Sequence, residues 1–372
     1  MSWYDRRIQM LVIGAIVACS GFSCQSLHPE NGATKEYKIN VEGPWDYITQ
    51  KDLEDMGMAN HDAPMSFIRL GKNEYWIYLS EGGREQSMHS NVKRIRTTVS
   101  GIDKSTAEDV SIYGIPDAGI NKYNGWHAWI MNIYEIDSDE WLAVTHFEDQ
   151  DNLGGDTKED FRMGMAYSND DGKTFSHLGF VLETELPRSV IKSGVCKSKP
   201  NIAGGGIRSD GIYLHIYYVD QANPDASDRH GAVARAKLDE VIENARKGKN
   251  AVWHKYYNGK WQQPGMGGRS SDIGKIGNHA NVMYNTYINN WIYFYRQGQD
   301  VMMHKSSDPL GFHGSAEDDE IICRIPDGYR AAYFSIHPDQ SNMTTCGKEF
   351  YLYYRYYKRG DYPTARVKIS FE

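Results

Sequence analysis

The chain has 372 residues, enough for one large β domain or two ordinary ones and enough to bury a sizeable core. A formal net charge of −8 and a pI of about 5.9 exclude a general binder of nucleic acid or of anionic membrane surfaces. The 26 tyrosines and nine tryptophans suit strands, and they also suit surfaces that stack on the apolar faces of sugar rings.

The first element in chain order is an export signal. Arg6 and Arg7 precede an apolar run over residues 10–18 that is too short to span a bilayer as a mature helix. Residues 16–19 read "IVAC" and resemble a bacterial lipobox, which implies that Cys19 is lipidated and becomes the new N-terminus. Cys24 in "GFSC" is a second candidate, and cleavage as an ordinary signal peptide is the alternative. The chain thus divides into an export signal over 1–24, a polar tether over 25–35 and a single catalytic domain over 36–372. This reading places the protein at the bacterial cell envelope, held to a membrane only through the lipid. Cys196, Cys323 and Cys346 lack metal-ligand spacing, and a Cys323–Cys346 disulfide stays open.

A weak repeat then recurs five times. Each unit has an apolar segment, a short polar turn and a strongly aromatic strand, over 74–82, 140–149, 212–220, 290–298 and 349–357. A third strand follows in every unit: "KRIRTTVSG", "FRMGMAYS", "GAVARAKL", "DVMMHKSSD" and "ARVKISFE". Unit three inserts a predicted helix over 239–248. Unit five stops after its third strand, and "EYKINVEG" at 36–43 can supply the fourth, which closes a ring and removes sheet edges. The prediction is an all-β fold, a five-bladed β-propeller with its ring closed by an N-terminal strand. A six-bladed ring is the alternative, although no sixth aromatic strand is found.

Residues 168–175 read "SNDDGKTF", a spacing in which Asp170 and Asp171 accept backbone N–H groups and Gly172 closes a hairpin. This order resembles the Asp-box of sialidases and related propellers, a structural hairpin between the outer strands of a blade and away from the active site. "SSDPLGF" at 306–312 resembles a degenerate copy in unit four. The whole pattern is similar to the five-bladed glycoside hydrolases, which include arabinanases, xylosidases and fructosidases. That resemblance implies hydrolysis of O-glycosyl bonds in a glycan without a cofactor, with a structural metal such as calcium left open.

Propeller topology predicts which residues meet, because inner-strand starts and second-strand ends share one face. The starts supply Asp62, Trp126, His127, Asn201, His279 and Arg330; the ends supply Glu148, Asp220 and Arg296, with Glu81, Asp149 and Arg355 beside them. Glycoside hydrolysis needs two carboxyl groups, one protonated and one ionised. Asp62, in "HDAP", resembles the family's general base, and a turn cap before Pro64 is its plainer role. The family's Asp on the second inner strand and acid Glu on the third are absent. Trp126 with His127 and Lys199 with Asn201 stand there, so Glu148 or Asp220 is expected to supply the acid. Trp126, His127, Asn201, His279, Arg296 and Arg330 are expected to bind substrate, the arginines favouring an acidic or sulfated sugar. Two further readings stay open. A polysaccharide lyase would use His127, His279 or a tyrosine as base and Arg296 or Arg330 on a uronate, whereas a non-catalytic glycan binder would use Trp126, Trp129 and Trp261 as platforms.

Overall fold

The computed structural model describes residues 37–82, 92–116, 126–149, 159–196, 201–221, 229–274, 276, 279, 281–314, 319–337, 345–358 and 360–372. The chain is mostly β. Strand β1 (Ile39–Ile48) and helix α1 (Gln50–Asp55) precede a first group of β2 (Ser66–Gly71), β3 (Glu74–Ser80), β4 (Val92–Thr98) and β5 (Gly101–Tyr113). The second group is β6 (His127–Glu135), β7 (Trp141–Glu148), β8 (Phe161–Ser168) and β9 (Thr174–Leu182). After α2 (Arg188–Lys192) come β10 (Asn201–Ser209), β11 (Tyr213–Gln221), β12 (Arg229–Lys237), α3 (Leu238–Arg246) and the hairpin β13 (His254–Tyr257) and β14 (Lys260–Pro264). The fourth group is β15 (Met283–Asn285), β16 (Asn290–Gln297), β17 (Asp300–Ser306) and β18 (Glu320–Arg324). The last comprises β19 (Arg330–His337), β20 (Thr345–Cys346), β21 (Glu349–Tyr357) and β22 (Thr364–Phe371).

Within each group, successive strands pair as antiparallel meanders, except that β20 runs parallel to β15. A parallel β5–β9 pairing joins the first two groups at their outer strands. In the last group the order is β1-β22-β21-β19, with Ile39 opposite Phe371 and Asn40 opposite Ser370. The N-terminal strand expected over 36–43 therefore pairs with the end of the chain, although it runs over Ile39–Ile48.

Aromatic and branched side chains on these pleated strands bury one face against the preceding group and the other against the next. Trp76 and Tyr78 meet Trp141 and Phe175 between the first and second groups. Leu142 and Met163 meet Ile202 and Ile216 between the second and third. Tyr217 and Val233 meet Tyr293 and Phe312 in the next interval, and Phe294 and Met303 meet Phe350 and Leu352 after it. Finally Tyr353 of the last group packs with Phe67, Ile77 and Leu79 of the first.

The 168–175 hairpin shows how local chemistry sets a turn. Asp170 accepts from the Thr174 amide (3.0 Å) and hydroxyl (2.8 Å), and Ser168 Oγ accepts from the Gly172 amide (2.9 Å). Gly172 takes φ +70° beneath Trp141, where a Cβ would stand 2.1 Å from the indole. Along β7 this hairpin lies beside Trp141, whereas Glu148 pairs with Phe161 at the far end. From residue 141 to 148 at about 3.3 Å per residue, the two are about 23 Å apart. The open disulfide is corrected: Cys323 and Cys346 are free thiols. The Cys323 thiol faces the Tyr354 hydroxyl (3.4 Å), and Cys346 accepts from the Asn285 amide (3.3 Å).

Candidate active site

Asp62 is delivered by the segment before β2, which crosses the end of β3. The Asp62 amide donates to the Ser80 carbonyl (2.7 Å), and the Ala59 amide donates to Glu81 (2.6 Å). Asn60 accepts from the Gly82 amide at 2.9 Å and donates back to the Gly82 carbonyl. Glu81 is thus spent on holding the loop. On Asp62, one oxygen takes two donors: Arg355 Nη1 lies 2.9 Å from Oδ1, and the Tyr333 hydroxyl donates to the same atom at 2.9 Å. The Arg355 guanidinium, buried at the end of β21, also lies over the Tyr333 ring at 4.4 Å.

Tyr333 reaches Asp62 through an unusual backbone. It sits at φ +59° inside β19, at the register shift between Ala332 and Ser335. A bulge of this kind re-aims a side chain, and a non-glycine residue in the left-handed region stores strain that packing must hold. His279, itself at φ +57°, lies against the Tyr333 ring (5.2 Å between centroids) and against His146 (5.5 Å). His146 Nε2 in turn stands 3.1 Å from Glu148 Oε1. Trp129 lies beside His146 (5.8 Å) and stacks on His127 (6.0 Å), which is opposite Glu148 in the β6–β7 register.

The electrostatics follow from this crowding. Burial, reinforced by His146, drives the His279 pKa down to about 3, so the ring is neutral at ordinary pH. Burial also raises the Tyr333 phenol well above its ordinary range; the charges of Asp62 and Glu148 add to this, against Arg355. Tyr333 is therefore a hydrogen-bond donor here rather than a phenolate. The result is two carboxyl groups, from the first and second strand groups, at the ends of one run of contacts: Asp62 accepts from Tyr333, Glu148 lies beside His146, and the neutral His279 ring sits between those two partners.

The other expected residues distribute unevenly. Trp126 is corrected from sugar platform to core: it is 3% exposed, packs on Phe147 and Phe180, and lies under the guanidiniums of Arg162 (5.4 Å) and Arg188 (5.0 Å). Trp129 is equally buried, and Trp261 lies under Arg235. Asp149 pairs with Arg188 (2.7 Å) and Lys192 (2.8 Å). Asp220 occupies a cleft of about 270 Å³ that is also lined by Glu185, His230, Tyr257, Arg269 and Ser270. There it accepts from Ser270 (2.7 Å) and stands 3.6 Å from the fully buried Lys255 amine. Arg296 and Arg330 are exposed, the first on the flank of the fourth group and the second at the start of β19. Asn201 opens β10, but its side chain lies outside the described residues, as do Lys199 and Cys19.

Sequence reasoning missed both Tyr333 and His146. His146 carried a signal, since it lies two residues from Glu148 and so on the same face of β7. Nothing in the sequence announces the backbone of Tyr333.

No family model matches the chain, and no curated protein matches it. Among solved structures it is similar to a family 117 glycoside hydrolase from the marine bacterium Zobellia galactanivorans, at 10% identity over 90% of each chain and a TM-score of 0.49. It is also similar to an α-L-arabinofuranosidase from Podospora anserina (10% identity, 90% of this chain and 97% of that one, TM-score 0.45). An endo-1,5-α-L-arabinanase from Thermotoga petrophila aligns at 12% identity over 88% of this chain and 72% of its own, with a TM-score of 0.46. Such neighbours are members of the five-bladed β-propeller glycoside hydrolase superfamily, the one that the sequence pattern resembles.

Proposed function

We propose that the chain is a five-bladed β-propeller closed by its N-terminal strand, and that it hydrolyses a glycan at the cluster around Tyr333. The buried contacts running from each strand group to the next, and from the last back to the first, support the ring. One observation carries the catalytic reading: Asp62 and Glu148, remote in sequence, stand at the two ends of one run of contacts through Tyr333, His279 and His146. In this reading Asp62 takes a proton from the attacking water, and Glu148 gives one to the leaving glycosidic oxygen as the C–O bond breaks. Tyr333 and Arg355 hold Asp62, and His146 holds Glu148. Arg330, exposed at the start of β19, favours an acidic or sulfated sugar in this reading. The cleft of Asp220 receives a further part of the glycan, and His127 and Arg330 lie at the rim. The lipobox pattern puts this activity at the cell envelope, anchored through Cys19.

The deciding experiment is a screen of glycans read by product mass. Hydrolysis adds one water per bond, and Asp62→Asn should slow it by orders of magnitude. A second reading is favoured by the neutral His279 beside Tyr333, which suits proton abstraction by a lyase. Elimination adds no water and leaves an unsaturated uronate that absorbs in the ultraviolet. Such products from an active Asp62→Asn variant would refute hydrolysis, and saturable binding without any product would leave a glycan-binding module.

A further inference from the structure

A separate cleft of about 190 Å³ opens on the flank of the fourth strand group, lined by Tyr293, Tyr295, Arg296, His304, Phe312 and Asp319, among others. At its floor His304 Nδ1 lies 2.6 Å from Asp319 Oδ1, with the two side chains only 8% and 5% exposed. The Tyr295 hydroxyl donates to the other oxygen, Oδ2, at 2.5 Å. Both oxygens of the carboxylate are thereby engaged. A carboxylate on Nδ1 fixes the proton there and turns Nε2 into an acceptor. Nε2 has no partner among the described residues. Gly314 keeps the imidazole clear, since a Cβ at that position would stand 2.7 Å from His304 Cε1. At the mouth, exposed Arg296 spends one N–H on the Gly298 carbonyl (3.1 Å).

A purely internal brace would aim its histidine at the core. Here Asp319 and Tyr295 orient the ring of a residue that lines the cleft, next to a guanidinium and aromatic walls. At about 190 Å³ the space is smaller than the roughly 300–1,000 Å³ of pockets for larger ligands, so it suits one sugar ring rather than a chain. We propose that this cleft is a second carbohydrate subsite that takes a single carboxylated sugar. His304 Nε2 accepts a ring hydroxyl, Arg296 donates to the carboxylate, and Tyr295 supplies the apolar wall.

The test follows the imidazole signals of His304 by NMR while the full chain is titrated with sodium D-glucuronate, D-glucose or sodium acetate. Glucuronate should shift those signals saturably, with glucose and acetate weaker by at least about tenfold. Arg296 is exposed, so Arg296→Gln keeps the fold, and it should weaken glucuronate binding by about tenfold. Asp62→Asn should leave that binding unchanged. No saturable shift at His304, or equal responses to all three probes, would overturn the proposal. So would a response removed by Asp62→Asn and untouched by Arg296→Gln. The readout needs no turnover, so it stands or falls separately from hydrolysis at Tyr333.

Discussion

Gly82 is the seat of Asp62: a Cβ built on residue 82 would stand 2.0 Å from Asp62 Oδ2 and 2.6 Å from its Cβ and Cγ. The whole carboxyl side chain would have to move, and with it the contacts to Tyr333 and Arg355. Gly82→Ala is therefore expected to lower kcat by about 10²-fold, the usual consequence of displacing a reacting group by roughly 1 Å. Turnover should be measured beside the thermal midpoint. Full activity in a folded variant would remove Asp62 from the mechanism.

Asp62→Asn keeps the shape and the hydrogen bond from Tyr333 while removing the base. A fall in kcat of about 10²–10⁴-fold is expected, with KM little changed. Steady-state kinetics on whichever glycan the screen identifies would check it, and a raised KM with unchanged kcat would recast Asp62 as a binding group.

Three buried imidazoles make the fold acid-sensitive. Burial lowers His61, His279 and His337 from the ordinary 6.5 to about 3, with Arg355 adding to the effect on His61 and His146 to that on His279. Each is neutral when folded and gains a proton on unfolding between those two values. The stabilisation is thus complete above about pH 6.5 and lost as pH falls, by up to about 1.4 kcal/mol per histidine for each pH unit. Urea midpoints should drop between about pH 6.5 and 5; a flat profile would place these rings in wetter surroundings.

Asp170→Ala removes the acceptor of both Thr174 hydrogen bonds, about 23 Å along the sheet from Glu148. It should cost about 0.5–2 kcal/mol while the folded fraction keeps its specific activity. Calorimetry paired with an activity assay decides, and a stable but inactive variant would give the hairpin a catalytic part.

Cys19→Ser should release the protein from membranes into the soluble exported fraction. Fractionation reads this directly, and wild-type protein already found there would rule out a lipid anchor.

Local chemistry alone specified the strands. Aromatic runs bounded by Gly, Asp and Asn turns mark β3, β7, β11, β16 and β21, because pleat and turn preferences act over a few residues. Strand alternation also predicts that Asp62 and Glu148 share one face. What lies around each side chain was not legible in the sequence. Trp126 reads as a sugar platform until Arg162 and Arg188 close over it. Asp220 reads as a second catalytic carboxyl until Lys255 and Ser270 claim it. Tyr333 is one tyrosine among 26 until a bulge turns its backbone to φ +59° and its hydroxyl onto Asp62. Burial, charge environment and strained backbone come from groups tens to hundreds of residues away, so they exist only once the sheets have packed.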